Sequence, residues 1–223
     1  MQPLCDFFRI KPGITALIGG GGKTSTMYAL AEELRQKGSV IVCTSTHILC
    51  PPQYPYFPRL SGKLSFGEVV STGSIDGHKL STPEQPFEEL KQFADYILVE
   101  ADGSRQLPLK AHAAHEPVIP DGTDKVLVVI GIDGLGKPIK NVAHRPEIYA
   151  QICQTTPEEP VTEEMIRDVV RTYPRCDGIV INKADAEAEI ERAESLAKQF
   201  TVPAAITAWQ TEHPIIAYRR NRL

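Results

Sequence analysis

Apolar and polar positions divide the chain into two kinds of segment that alternate. Short, continuous apolar runs are typical of buried parallel strands, and we expect six of them at 14–18, 40–43, 96–99, 125–130, 178–181 and 202–207. Amphipathic stretches lie between them and predict helices at about 23–37, 84–93, 146–153, 162–173 and 187–199. This alternation predicts an α/β fold in which helices cover both faces of a mainly parallel sheet.

Two stretches interrupt this pattern. Residues 50–83 contain several prolines and glycines between short β-like pieces, so we expect an irregular insertion with small hairpins. Residues 104–124 predict an irregular connection, and residues 1–13 a lead-in that packs Phe7, Phe8 and Ile10 on the core. Because no second core is evident, we predict a single domain over residues 1–223.

The first predicted strand ends in a run of glycines that leads directly into a helix. The run is Gly19, Gly20, Gly21 and Gly22, and Lys23, Thr24 and Ser25 follow it. Glycines allow backbone N–H groups to close around phosphate oxygens, and the positive end of the following helix favours an anion. We expect Lys23 to contact the β- and γ-phosphates of a nucleotide and the Thr24 hydroxyl to ligate Mg²⁺. The prediction is a P-loop NTPase-like three-layer sandwich.

The spacing of this loop is unusual. In the common Gly-x-x-x-x-Gly-Lys-Ser/Thr pattern, Leu17 would occupy the first glycine position. The shorter loop found here resembles those of Mur-type ligases and of nickel-insertion and MinD-like NTPases. The alternative is a flexible glycine turn beside an ordinary helix, but the order of strand, glycines, Lys-Thr and helix favours phosphate binding.

Acidic residues follow the third predicted strand. Glu100 and Asp102 are candidates to hold Mg²⁺, and we assign them, with Lys23, to catalysis. Gly103 would let its backbone approach the γ-phosphate. The Glu-x-x-Gly spacing resembles a motif of the nickel-insertion GTPases.

The fifth predicted strand ends in Asn182-Lys183-Ala184-Asp185, which resembles the Asn-Lys-x-Asp motif of GTPases. In that motif the Asp carboxylate accepts from guanine N1–H and N2–H₂, the Lys packs on the base, and the Asn holds the phosphate loop. The alternative is that Asp185 caps the helix that follows. We expect GTP as the ligand, with ATP as the alternative.

Several other polar residues remain open in role. The hydroxyls of Thr44–Thr46 either contact Mg²⁺ and phosphate or cap a strand end, and Arg105 and Lys110 are candidate phosphate or substrate contacts. Two groups are incomplete metal-ligand sets: His47 with Cys50, and His112 with His115 and Glu116. The roles of His144 and Arg145 are also open. No sequence of Ser, His and Asp, and no activated Cys, indicates a hydrolase triad.

Composition narrows the class of protein. The net charge of −4 and the pI of about 5.9 argue against a nucleic-acid partner. The sequence contains no run of 18 apolar residues, so no membrane helix is predicted, and the N-terminus lacks the features of a signal peptide. The five cysteines are scattered, which is typical of reduced thiols in a cytoplasmic protein.

A resemblance covers nearly the whole chain. Residues 100–111 and 115–120, together with Gly19–Thr24, Thr44–His47, His144–Glu147 and Asn182–Asp185, are similar to the YqeC family. That family is described as accessory proteins of selenium-dependent molybdenum hydroxylases. The resemblance implies a maturation pathway and a molybdenum hydroxylase or other maturation proteins as partners. It defines no reaction.

The leading hypothesis is therefore a nucleotide-binding, Mg²⁺-dependent NTPase that acts as a maturation factor. One alternative is an ATP-dependent transferase or ligase that activates selenium or a cofactor component. The other is a switch that binds nucleotide without turnover.

Overall fold

A computed structural model gives the fold, and it describes residues 2–209, 211 and 214–220. The helices are α1 (Leu4–Phe7), α2 (Lys23–Leu34), α3 (Phe87–Leu90), α4 (Ile139–Val142), α5 (Pro146–Ile152), α6 (Glu163–Arg171) and α7 (Glu187–Ala197), with a 3₁₀ turn at Ile132–Gly134. The strands are β1 (Gly13–Gly19), β2 (Val40–Thr44), β3 (His47–Leu49), β4 (Tyr56–Phe57), β5 (Val69–Thr72), β6 (Ser74–Asp76), β7 (Lys79–Ser81), β8 (Tyr96–Glu100), β9 (Leu109–Lys110), β10 (Thr123–Gly131), β11 (Ala143–His144), β12 (Gly178–Asn182), β13 (Ala204–Thr207) and β14 (Ile215–Arg219). The ends of the predicted domain, Met1 and residues 221–223, lie outside the described residues.

Nine strands form the main sheet, in the order β14-β13-β12-β10-β1-β8-β2-β5-β4. All neighbours pair in parallel except β13 and β14, which are antiparallel. The six predicted strands are all present, and the α/β prediction with a mainly parallel sheet is confirmed. Because parallel strands end at one edge, β1, β8 and β12 bring their C-terminal residues to the same side of the sheet.

Strand alternation explains the layers. In β1, Leu17 packs in a core with α1 and α2, whereas Ala16 and Ile18 pack in the opposite core with α5, α6 and α7. The lead-in contributes as predicted, since Phe7 and Phe8 are buried and Ile10 packs against the α2 core. The result is a three-layer arrangement compatible with a P-loop-like sandwich.

Several elements differ from the sequence prediction. The helix predicted at 23–37 ends at Leu34, and the one predicted at 84–93 contains only the helical turn Phe87–Leu90. Within 50–83, β6 and β7 form part of a small antiparallel sheet with β3, whereas β4 and β5 extend the main sheet. Strand β14 was not predicted, although residues 215–218 form a short apolar run; it is an edge strand whose residues are only partly buried.

Two bulk features complete the description. All five cysteines are free thiols. Within the described part of the chain, no helix is both long and apolar enough to cross a lipid bilayer.

Candidate functional site

The glycine loop between β1 and α2 is packed tightly against other backbone. Gly21 has φ 71°, and a Cβ there would lie 2.1 Å from the backbone nitrogen of Gly131. Gly22 has φ 115°, and its Cβ would lie 2.3 Å from the Asn182 side chain. A side chain at either position would collide with the end of β10 or with Asn182, so glycine is required by the protein's own packing.

The first turn of α2 is open to a cleft. Gly22 is the N-cap residue of this 12-residue helix and provides no side-chain cap. Residues 22–25 line the cleft, so the unpaired N–H groups of the first turn lie at its surface. A helix terminus of this kind presents both hydrogen-bond donors and a positive dipole end, which favour an anion.

Lys23 is buried against two carboxylates. Its ammonium donates to the Gly19 carbonyl oxygen at 2.8 Å and lies 3.1 Å from Asp102 Oδ1 and 3.6 Å from Glu100 Oε1. Burial acts to lower the pKa of Lys23, but the charges of Asp102 and Glu100 outweigh it and the net shift is upward. The ammonium is therefore held in its charged form at the base of the loop.

The two carboxylates reach the loop because β8 lies beside β1, with Glu100 paired to Leu17. Glu100 lines the cleft, and its Oε2 accepts a 2.7 Å hydrogen bond from the Thr24 hydroxyl. Burial raises the pKa of Glu100, although Lys23 and Thr24 act against this. Thr24 and Glu100 thus present an oxygen pair of the kind that Mg²⁺ prefers.

Asp102 has a different position. It is fully buried and does not line the cleft. Its Oδ2 accepts from the Gly19 N–H at 2.8 Å and contacts His112 Nε2 at 2.6 Å. Burial acts to raise the pKa of Asp102, but Lys23, His112 and Lys110 together lower it to about 2. Asp102 is an ionised anchor beneath the loop.

The Asn182–Asp185 segment lies on the other side of the loop. Asn182 Nδ2 donates to the Gly21 carbonyl oxygen at 2.7 Å, and its Oδ1 accepts from the Thr207 hydroxyl at 3.1 Å. Lys183 has φ 65°, lines the cleft and pairs with Asp133 at 2.9 Å. Asp133 was not identified from the sequence, since it lies in a separate turn after β10.

Asp185 is exposed and is not the cap of α7. Ala186 occupies the N-cap position, and its N–H is bound by the Glu189 carboxylate at 2.9 Å. The alternative that Asp185 caps this helix is therefore wrong.

The cleft itself encloses about 590 Å³. Its lining combines the start of α2 with residues from four other segments. The lining residues are Gly22, Lys23, Thr24, Ser25, His47, Ile48, Leu49, Lys79, Glu100, Gly103, Ser104, Arg105, Gln106 and Lys183. The wall formed by β3 and β7 was foreseen only as hairpins, and Lys79 was not singled out. No local motif marks it, because the pairing of Leu49 with Lys79 is a tertiary relation.

The hydroxyls at the end of β2 hydrogen-bond to backbone groups. Thr44 Oγ1 donates to the Glu100 carbonyl oxygen at 2.7 Å, and the Thr46 N–H donates to Thr44 Oγ1 at 3.0 Å. The Ser45 hydroxyl donates to the carbonyl oxygen of Val118. Of the two alternatives for these residues, the structure matches strand-end capping.

A buried ionic network lies next to the cleft. The Lys110 ammonium contacts the Gly103 carbonyl oxygen and lies 2.9 Å from Glu116 Oε1, while Arg145 Nε donates to Glu116 Oε2 at 2.7 Å. Burial acts to raise the pKa of Glu116, but Arg145 and Lys110 lower it to about 2. Arg145 and Lys110 thus both form ion pairs with Glu116.

The two incomplete metal-ligand sets do not become complete. Among the described residues, no cluster of three or more His, Cys, Asp or Glu side chains could hold a metal ion. A Mg²⁺ site beside a nucleotide does not require such a cluster, because Mg²⁺ keeps several waters and takes phosphate oxygens as ligands.

One aromatic contact also reaches α2. The indole N–H of Trp209 donates to the Thr26 hydroxyl at 3.0 Å, and Thr26 in turn donates to the Gly22 carbonyl oxygen at 3.0 Å. The segment after β13 is thereby connected to the glycine loop.

Comparison with known proteins places the chain in a family. A protein of Escherichia coli (strain K12), described as uncharacterized protein YqeC, is 36% identical over 164 residues, which cover 66% of this chain and 63% of that relative. The matched part spans less than two thirds of the relative's length. The family model described as YqeC protein matches residues 15–147, more than half of the chain and including both the glycine loop and the buried ionic network. The resemblance inferred from the sequence is confirmed, and the chain belongs to the YqeC family.

Proposed function

We propose that this chain binds a nucleoside triphosphate with Mg²⁺ in the cleft at the N-terminus of α2 and hydrolyses it as a maturation factor. The observation that carries the proposal is the Thr24–Glu100 hydrogen bond beside the uncapped first turn of α2. It places a hydroxyl and a carboxylate next to backbone donors, as a Mg²⁺–phosphate complex requires.

Each residue of the loop has a role in this proposal. The N–H groups of residues 22–25 bind phosphate oxygens, and Lys23 adds a positive charge that its carboxylate neighbours keep protonated. Thr24 and Glu100 hold the metal, whereas the buried Asp102 orients Gly19 and Lys23. When bound, Mg²⁺ neutralises phosphate charge. Among the described residues no side chain is an evident general base, so electrostatic positioning supplies the catalysis.

The base is assigned to the Asn182–Asp185 segment. Asn182 already holds the loop, and the left-handed Lys183 lies at the cleft surface. These placements support guanine recognition, in which Asp185, exposed but outside the lining of the cleft, would meet the base beyond the cleft. ATP remains the alternative ligand.

The proposal for the cellular role rests on family membership alone. We propose that nucleotide state is used to deliver or install a component into a molybdenum hydroxylase. A second candidate, an NTP-dependent transferase, is favoured by one observation. Lys79 and Arg105 line the cleft, and neither side chain has an ion pair among the described residues. Two free cations beside the nucleotide would suit an anionic second substrate.

Calorimetric titration with GTP and ATP, with and without Mg²⁺, tests the nucleotide site. Lys23→Ala should weaken binding of both nucleotides at least tenfold, and Glu100→Gln should weaken it only when Mg²⁺ is present. The matched control is Lys11→Ala, an exposed lysine just before β1 at the opposite end of that strand. Equal affinity in the wild type and Lys23→Ala would contradict the proposal.

Phosphate release separates the functions. Steady release of phosphate supports an NTPase, whereas tight binding without release, even with a molybdenum hydroxylase present, indicates the switch. Transfer of the γ-phosphoryl group of labelled nucleotide to an anionic acceptor would establish the transferase.

A further inference from the structure

Asp102 connects the phosphate loop to a residue far from it in sequence. The same oxygen, Oδ2, is bound by the Gly19 N–H at 2.8 Å and by His112 Nε2 at 2.6 Å. The other oxygen forms an ion pair with Lys23 at 3.1 Å, outside the angles of a directed hydrogen bond. The Lys110 ammonium also lies 3.9 Å from Oδ2, so the two directed hydrogen bonds on Oδ2 and the flanking lysines together fix the rotation of this carboxylate.

The protonation of His112 follows from its partner. Because Asp102 is an ionised acceptor, Nε2 must carry the proton that bridges the 2.6 Å contact. The other ring nitrogen, Nδ1, is buried and has no hydrogen-bond partner within the described chain. Within the described chain, the His112 ring therefore hydrogen-bonds only to Asp102.

The imidazole is held in place by its surroundings. The Tyr173 ring packs on it with centroids 4.2 Å apart, and the Tyr173 hydroxyl donates to the Lys110 carbonyl oxygen at 2.7 Å. On another side, His112 forms part of the wall of a second cleft, of about 500 Å³, with Glu116 and residues of α5. The ring is a rigid donor because Tyr173, outside the phosphate site, packs against it.

We propose that His112 is a positioning residue of the phosphate loop, acting through Asp102 to fix the Gly19 N–H and the Lys23 ammonium. Nothing in the assigned nucleotide motifs includes it. Where it concerns nucleotide binding, this inference rests on the proposed function. Loss of the imidazole leaves Oδ2 with one donor, so that the carboxylate can rotate towards Lys23 and release Gly19.

Three variants at this position distinguish the hydrogen bond from packing. In His112→Gln the side-chain amide nitrogen can reach the place of Nε2, whereas the shorter amide of His112→Asn reaches only that of Nδ1. His112→Phe keeps a ring against Tyr173 but donates nothing. The Asn and Phe variants should bind Mg²⁺–GTP at least tenfold more weakly than the wild type, and the Gln variant within about threefold. His78→Phe, at an exposed histidine, is the control and should leave affinity unchanged.

A second readout does not depend on nucleotide. In the nucleotide-free protein, the Gly19 amide should exchange its hydrogen at least tenfold faster in the Asn and Phe variants than in the wild type, with Gln restoring protection. If the wild type bound no nucleotide, the proposed function would fail while this measurement still decided the role of His112. Equal Gly19 protection in the wild type, Gln and Asn variants would overturn the inference, and this comparison stands even if the Phe variant does not fold.

Discussion

The side-chain amide of Asn182 donates a 2.7 Å hydrogen bond to the carbonyl oxygen of Gly21, so the loop after β12 holds the loop after β1. Asn182 is 4% exposed and Thr207, which donates to its Oδ1, is fully buried. One amide therefore satisfies two buried groups that are distant in sequence.

Asn182→Ala should destabilise the fold by about 1–3 kcal/mol, because the Gly21 carbonyl and the Thr207 hydroxyl lose a buried partner. Urea denaturation measures this difference, and nucleotide titration should show weaker binding in parallel. Asn141→Ala, at an exposed position in α4, is the control. Unchanged stability would mean that the loop does not depend on this bond.

Gly21→Ala should lower the free energy of unfolding by about 2–3 kcal/mol, because a Cβ at φ 71° would press on the backbone of Gly131. Gly62→Ala is the matched control, since a Cβ there meets no atom within 4 Å. A similar melting temperature for both variants would contradict the packing described for the loop.

Gly103→Ala separates folding from ligand approach. A Cβ at Gly103 meets no protein atom within 4 Å, yet the residue lines the cleft. Stability should therefore change by less than about 0.5 kcal/mol, while affinity for GTP should fall if phosphate approaches this backbone. Full affinity in a normally folded variant would remove Gly103 from the proposed site.

Asp185→Asn tests guanine recognition. If Asp185 accepts from guanine N1–H and N2–H₂, GTP should bind roughly tenfold to a hundredfold more tightly than ATP, since an acceptor that a bound base covers and leaves unpaired costs about 1–3 kcal/mol. The Asn variant should lose this preference and improve binding of xanthosine triphosphate, whose C2 carbonyl can accept from the new amide. Competition titrations of the three nucleotides measure it. A wild-type protein that preferred ATP would contradict the guanine hypothesis but not the proposal that the glycine loop binds phosphate.

Glu116→Gln should reduce stability at pH 7 by on the order of 1–2 kcal/mol, because Lys110 and Arg145 lose the charge that they share in a site that solvent partly screens. The pKa of Glu116 is depressed to about 2 in the folded protein, so its contribution is complete above the ordinary carboxyl pKa of about 4.5. The contribution falls as the pH drops through this window. The wild-type advantage should thus shrink between about pH 4.5 and pH 2 in acid-unfolding experiments. A constant difference across that range would exclude an ionic origin.

The central strands were predictable because they are buried on both faces, where continuous apolar runs are required. Strand β14 was not predicted, although residues 215–218 are apolar, since this run is short and lies at the partly exposed edge of the sheet. The early end of α2 at Leu34 was also missed, because residues 35–37 are polar residues of good helix propensity, yet they form only a turn after Leu34.

The site was predictable where chemistry is local in sequence. Gly22, Lys23, Thr24, Glu100 and Lys183 all line the cleft. The separation of Glu100 from Asp102 was not predictable, because it depends on the direction in which each side chain leaves the end of β8. The partners His112 and Asp133 depend on tertiary contacts that no motif encodes.

The hydrogen bond between Trp209 and Thr26 provides a built-in optical reporter. Trp209 is the single tryptophan of the chain, and Thr26 connects it to the Gly22 carbonyl at the start of α2. Indole emission depends on the polarity and hydrogen bonding around its N–H. A rearrangement of the loop will therefore change the intrinsic fluorescence, and ligand binding and its kinetics can be followed without a label.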